Sequence, residues 1–233
     1  MKRVLITGAN RGIGLELARQ SLQRGERVFA AVRLPEKALA LHELQASFGD
    51  QLTITKLEVT DQAEIDAAAV QVRDELGGLD LLINNAGVFS SADRLESLEA
   101  EQIINTLRVN SVAPLMVTKA LLGMLRNGTH AKIMNISSQA GSLSARRAWE
   151  GRYSYSASKA ALNMFTKTLA LELEKDGIIV VMLHPGWVST DMGGQAAPVS
   201  PSESAAGILQ VIDGLSPKDN ARFFAWDGSE VPW

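Results

Sequence analysis

The run YSYSASKAAL (153–162) holds the chain's only two tyrosines, Tyr153 and Tyr155, shortly before Lys159. Ala160, Ala161, Leu162 and Met164 continue it with helix-forming composition. On such a helix Tyr155 and Lys159, four apart, face the same way, whereas Tyr153 and Lys159, six apart, do not. A nearby ammonium favours the ionised form of a phenol, so this pair could support proton transfer. A second group, Gly8, Gly12 and Gly14 in TGANRGIG (7–14), suits a different task. Glycines let a backbone turn tightly against a pyrophosphate, and the helix that follows offers amide donors and a partial positive charge.

The elements that would position these residues are legible as short apolar, β-branched runs: 3–7, 27–32, 52–59, 79–84, 131–137 and 178–185, with a weaker one at 222–226. Between the first six lie segments of helical period, several closing on glycine. This alternation predicts a single-domain (1–233) α/β fold: a Rossmann-type doubly wound sheet of about seven mostly parallel strands with helices on both faces. Such sheets bind ligands outside the carboxyl ends of their strands. Segments 138–152 and 189–201, rich in Ser, Gly, Pro and charge, are expected to be mobile loops.

The spacing Gly-x-x-x-Gly-x-Gly differs from the commoner dinucleotide fingerprint, but it follows the first strand and opens the first helix, as a nucleotide loop should. At the end of the second strand, an NAD site usually carries an acid for the ribose 2′-hydroxyl. Here stand Val32 and Arg33. Arg33, with Arg11 from the glycine loop, would hold a 2′-phosphate, which points to NADP(H).

With 233 residues, 46% of them hydrophobic, the chain can bury a large core. A net charge of −3 with dispersed Lys and Arg gives no reason to expect nucleic acid or an anionic membrane as partner. The absence of cysteine excludes a disulfide framework and a thiolate nucleophile, and no other His or carboxylate is spaced with His184 for a metal, so His184 reads as structural. No signal-peptide pattern and no apolar run of spanning length is present, which makes a soluble cytoplasmic protein the expectation.

Further along come INNAGV (83–88), Asn110 in LRVNSV, MNISS (134–138), Tyr155 with Lys159, and HPGWVSTDM (184–192). Together with TGANRGIG, this ordered set resembles the short-chain dehydrogenase/reductase family over essentially the whole chain. LHPGWVSTDMGG and the ending FFAWDGSEVPW are most similar to sniffer-type carbonyl reductases and C-factor-like proteins. The resemblance implies a catalytic set of Asn110, Ser138, Tyr155 and Lys159, with Ser138 preferred to Ser137. It implies cofactor contacts from Gly8, Asn10, Arg11, Gly12, Ile13 and Gly14 in the loop, and from Arg33. Glu58 and Val59, where the family commonly has Asp-Val, would lie beside the adenine. Asn84, Ala86 and Gly87 would line the adenosine ribose and sheet floor. Pro185, Gly186, Val188 and Thr190 would frame the nicotinamide, and Tyr155 and Lys159 would touch the cofactor as well.

The implied activity is NADPH-dependent reduction of a ketone, aldehyde or quinone, with Tyr155 as proton donor, Ser138 polarising the carbonyl and Lys159 tuning the tyrosine. Asn110 would hold a water that leads protons from Lys159 to solvent. A phenol of pKa near 10 must fall by about 3 units to cycle near neutrality, about 4 kcal/mol. An ammonium roughly 4 Å away supplies on the order of 4 kcal/mol at an effective dielectric of about 20. The alternative is a dinucleotide-binding signalling or sensor protein of the C-factor type with little turnover. Sugar epimerases of the family usually need a larger substrate domain. Trp149 and Trp187 lie in segments expected near the substrate, where lining an aromatic or apolar pocket and ordinary packing are equal alternatives. The extra residues SARRAWEGR form a loop at its mouth, in which Arg146, Arg147 and Arg152 read as solvated. The resemblance also implies a homodimer or homotetramer formed through helices around 99–126 and 152–174.

Overall fold

The computed structural model describes residues 1–90, 93–144 and 151–233; Arg146, Arg147 and Trp149 lie outside the described residues. Seven strands form one sheet: β1 (Arg3–Thr7), β2 (Arg27–Val32), β3 (Leu52–Lys56), β4 (Leu81–Asn84), β5 (Lys132–Ile136), β6 (Ile179–His184) and β7 (Phe223–Ala225). Their spatial order is β3-β2-β1-β4-β5-β6-β7, and every pairing is parallel. The chain therefore reverses its winding between β1 and β4, and the crevice at that switch point is where such a sheet accepts a ligand.

Alternation along each strand divides the core. Val4 and Ile6 of β1 face one side, with α1 (Gly12–Gln23), α2 (Leu39–Phe48) and α7 (Pro201–Gly214). Leu5 faces the other, with α3 (Gln62–Leu76), α5 (Ala113–Arg126) and α6 (Tyr153–Leu173). Both faces are covered, which is why the strands read as continuous apolar runs rather than as alternating ones.

Local chemistry sets several helix ends. Asp61 caps α3, accepting from Ala63 and Glu64, and Gly77 closes it at φ 65°. Ser200 and Glu203 form a reciprocal cap at α7, with Pro201 in its first turn. α4 (Ala100–Leu107) does not run straight into α5; a π-helical turn, Arg108–Val112, joins them and contains Asn110. The strand expected at 52–59 ends at Lys56, so Glu58 and Val59 lie beyond its carboxyl end. Among the described residues no helix is long and apolar enough to cross a membrane, and no three His, Cys, Asp or Glu residues are grouped to hold a metal.

Candidate active site

The glycine loop leaves β1 through Thr7. The Thr7 hydroxyl accepts from the backbone N–H of both Asn85 and Ala86 at 3.0 Å, which ties the ends of β1 and β4 together. Asn85 returns the contact, donating from Nδ2 to the carbonyls of Thr7 (2.9 Å) and Gly8 (3.1 Å). Gly8 (φ 66°) and Gly12 (φ 55°) adopt left-handed conformations that favour glycine. Gly14 is glycine for another reason: a Cβ there would overlap the Gly8 carbonyl oxygen and the Asn85 amide. Gly14→Ala is therefore expected to cost about 2 kcal/mol of stability, read as a lower urea midpoint at unchanged slope. Ile13 packs against the core, while Asn10 and Arg11 are exposed at the tip of the loop.

Arg33 and Arg11 both lie at the carboxyl end of the sheet, and each faces a carboxylate. Arg33 is 3.9 Å from Glu58, and Arg11 is paired with Asp191. Such exposed pairs are worth at most about 1 kcal/mol, so neither arginine is committed. Glu58 faces Arg33 with one carboxylate oxygen. Its other carboxylate oxygen accepts from the N–H and hydroxyl of Thr60 (3.2 and 3.0 Å). Val59 is buried beside it.

Asn84 is buried. Its side chain points below the crevice, donating to Asn135 at 2.8 Å and Thr118 at 3.3 Å, and Asn135 in turn donates to Thr166 at 2.8 Å. Asn84 shares its face of β4 with Leu82, which packs on the α5–α6 side, so strand parity directs it inward. Ala86 packs against Gly8, and a Cβ on Gly87 would lie 3.3 Å from Asn110 Oδ1 and 3.8 Å from Lys159 Nζ.

Tyr155 and Lys159 sit on one face of α6, as their spacing predicts. Lys159 Nζ lies 5.8 Å from the Tyr155 ring centre and donates to the carbonyl of Ile136, at the end of β5, at 2.8 Å. Burial pulls the Lys159 pKa down to about 8. Burial also pushes the Tyr155 phenol above its ordinary value, while hydrogen bonding from Ser138 and the Arg152 charge act the other way. Burial thus outweighs both, and the protein alone holds this phenol above rather than below its ordinary value. Ser138 follows β5 at the crevice and accepts from the N–H of Ala140 (3.2 Å), whereas Ser137 is buried and donates to Asn163 at 2.5 Å.

Asn110 uses its side chain fully within the protein. It accepts from the Val88 N–H (2.8 Å) and donates to the Val88 carbonyl (2.9 Å) and the Ser158 hydroxyl (3.0 Å). Its side-chain amide is a brace between the segment after β4 and α6.

Beyond β6, Gly186 takes φ 89°, and a Cβ there would meet the Trp226 ring at 2.9 Å. Pro185 accepts from Ser204 (2.7 Å), Val188 is bridged to Val199, and Thr190 accepts from Gly193 (3.2 Å) while its methyl approaches Gly12. Segment 189–201, expected to be a loose loop, is thus organised by backbone pairing, with the Ser189 N–H donating to Val199 at 2.8 Å. Trp187 is half exposed and donates to the Gly193 carbonyl at 2.8 Å. His184 is neutral because burial takes its pKa down to about 4, although the Asp227 charge acts the other way, and its Nδ1 is buried without a hydrogen-bond partner. Two surface cavities, of about 260 and 650 Å³, lie away from the crevice, one beside α7 and β7 and the other around Lys2, Asp80 and Lys132.

Three contacts at the site join residues too far apart in sequence to be anticipated. Asp93 is buried at the start of α6, where it accepts from Ser154 and Tyr155. The Phe89 ring meets Tyr155 edge to face at 5.4 Å. The 232–233 backbone accepts from Ser142 and Ser144, pinning the segment after Ser138.

Comparison with known proteins places this geometry. Residues 2–199 match the family described as short chain dehydrogenase. The C-signal of Myxococcus xanthus is 43% identical over 157 residues, covering 67% of this chain and 94% of C-signal. An NADPH-bound carbonyl reductase from chicken fatty liver is 40% identical and superimposes with a TM-score of 0.95 over 100% of this chain and 99% of its own. The carbonyl reductase Sniffer of Drosophila melanogaster is 33% identical, with a TM-score of 0.94 over 100% of both chains.

Proposed function

The chain belongs to the short-chain dehydrogenase/reductase family of oxidoreductases, and from that premise we propose that it is an NADPH-dependent carbonyl reductase. The observation that carries the proposal is the convergence of Ser138, Tyr155 and Lys159 from β5 and α6 beside a glycine loop at the switch point of the sheet.

The crevice fits the cofactor. Gly8, Gly12 and Gly14 clear the loop of side chains, and the amino end of α1, which the loop opens, would hold a pyrophosphate. Arg33 and Arg11 are exposed where a 2′-phosphate would be recognised, each free to exchange a weak carboxylate contact for it. Pro185, Gly186, Val188 and Thr190 would frame the nicotinamide. When bound, NADPH supplies the hydride and leaves a positively charged ring.

The chain's own residues do the rest. Tyr155 gives its phenolic proton to the carbonyl oxygen as that oxygen gains charge, so that hydride plus proton convert carbonyl to alcohol. Ser138 donates a hydrogen bond to the same oxygen. Lys159, still protonated at neutral pH with a pKa near 8, holds positive charge beside the phenolate that remains. Gly87 leaves room between Asn110 and Lys159, and Asn110 holds Val88 and Ser158 in register. A homodimer or homotetramer through α4, α5 and α6 would bury the exposed Ile104, Val112, Met164, Phe165 and Leu171.

Oxidation of NADPH over a panel of ketones, aldehydes and quinones, with NADH beside it, tests the reading. The expected result is turnover with at least about tenfold preference for NADPH, reduced about tenfold by Arg33→Ala through the KM for NADPH alone. Tight NADPH binding without turnover on any compound would instead favour the sensor reading, which the likeness to C-signal supports.

A further inference from the structure

The first turn of α6 bears Tyr155, and its amides are satisfied from outside the helix. Arg152, the residue before the helix, makes no capping bond with its side chain. Asp93, fully enclosed and about sixty residues earlier, provides the cap instead. Its Oδ1 accepts from the Ser154 N–H at 2.9 Å, and its Oδ2 accepts from the Tyr155 N–H at 3.1 Å and the Ser154 hydroxyl at 2.9 Å. A carboxylate so deeply buried is tolerable only when its lone pairs are engaged, and a helix amino end is electrostatically suited to it. Neighbouring contacts converge on the same turn. Phe89 packs edge-on against the Tyr155 ring, Val88 is held at both backbone atoms by Asn110, and Gly151 (φ 66°) passes so near that a Cβ would lie 3.3 Å from the Asp93 carbonyl oxygen.

We propose that Asp93 is the positioning residue for Tyr155: by capping the Ser154 and Tyr155 amides it fixes the helical turn from which the phenol reaches the substrate. Its kinetic consequence rests on the carbonyl-reductase reading above, but its structural consequence does not. Capping is shared between both carboxylate oxygens, so Asp93→Asn sets an NH₂ donor against one of the two backbone amides whichever way the side-chain amide is turned. Asp93→Ala leaves both amides without an acceptor. The effect should therefore be graded, with kcat about tenfold lower in the first variant and about 100-fold lower in the second, as misplacement of a reacting group by about 1 Å implies. The KM for NADPH should stay within about threefold, because Asp93 touches neither the glycine loop nor Arg33.

The test is incorporation of 3-fluorotyrosine into the full chain. Two tyrosines give two ¹⁹F resonances, assigned with Tyr153→Phe. The Tyr155 resonance should broaden or split in Asp93→Asn and more so in Asp93→Ala, while that of half-exposed Tyr153 and the NADPH affinity hold. A sharp, unshifted Tyr155 resonance in Asp93→Asn overturns the proposal. So does equal disturbance of both tyrosines and of NADPH affinity, which would mark a merely structural role. Asp93→Asn decides alone if Asp93→Ala does not fold. A wild-type enzyme inactive on every carbonyl defeats the functional reading and leaves the resonance test standing.

Discussion

Tyr155→Phe should lower NADPH-dependent carbonyl turnover by about 10³-fold while changing the NADPH dissociation constant less than about threefold. The substitution removes one hydroxyl and keeps the ring, so the edge-to-face contact with Phe89 and the first turn of α6 persist. What is lost is the proton donor, and positioned general acids contribute roughly 10²–10⁴ in rate. Because burial holds the phenol above its ordinary pKa in the protein alone, Tyr155 is protonated, and competent as an acid, across the neutral range. Tyr153→Phe is the control. Tyr153 is 50% exposed and faces away from Lys159, so its loss should alter kcat less than about twofold. Steady-state kinetics with nicotinamide fluorescence titration separates the two effects, and equal losses in both variants would remove Tyr155 from the proposed role.

Lys159→Met should reduce kcat by about 10²-fold and change how stability depends on pH. The kinetic loss follows from removing the only buried cation beside the phenol that the described residues provide. The pH effect has a definite sign. The folded-state pKa of Lys159 is about 8 against an ordinary value of 10.5, so between those values the unfolded chain keeps a proton that the folded chain has released. Stability then rises with pH through that window, by about 2 kcal/mol between pH 7 and 10. At neutral pH both states are protonated, and the fold bears the cost of burying the ammonium. Wild-type protein should accordingly gain on Lys159→Met in urea midpoint as pH is raised from 7 to 10, other titrations cancelling in the comparison. A difference that stays flat would mean that Lys159 is not desolvated as the structure indicates.

The two arginines show how far sequence reasoning reaches at the cofactor end. A missing acid after β2 and the presence of Arg33 and Arg11 are local facts, and they are sufficient to pose the choice between NADP(H) and NAD(H). That each arginine faces a carboxylate, Glu58 or Asp191, is not local. Arg11 and Asp191 come together only because the segment after β6 folds across the glycine loop.

Periodicity and residue type carry information about neighbours in the chain, and that was enough for the seven strands, the parallel sheet, the glycine loop and the shared face of Tyr155 and Lys159. The direction of Asn84 follows likewise from strand parity with Leu82. Tertiary structure decided the rest. It placed Asp93 and Phe89 on the first turn of α6, turned Lys159 onto the Ile136 carbonyl, committed Asn110 to Val88 and Ser158, and lodged Trp226 against Gly186. The physical reason is that a helix or strand is specified by interactions within a few residues. A cap, a desolvated charge or a close packing contact depends on which distant segments the sheet's winding brings together, and on how much water they exclude.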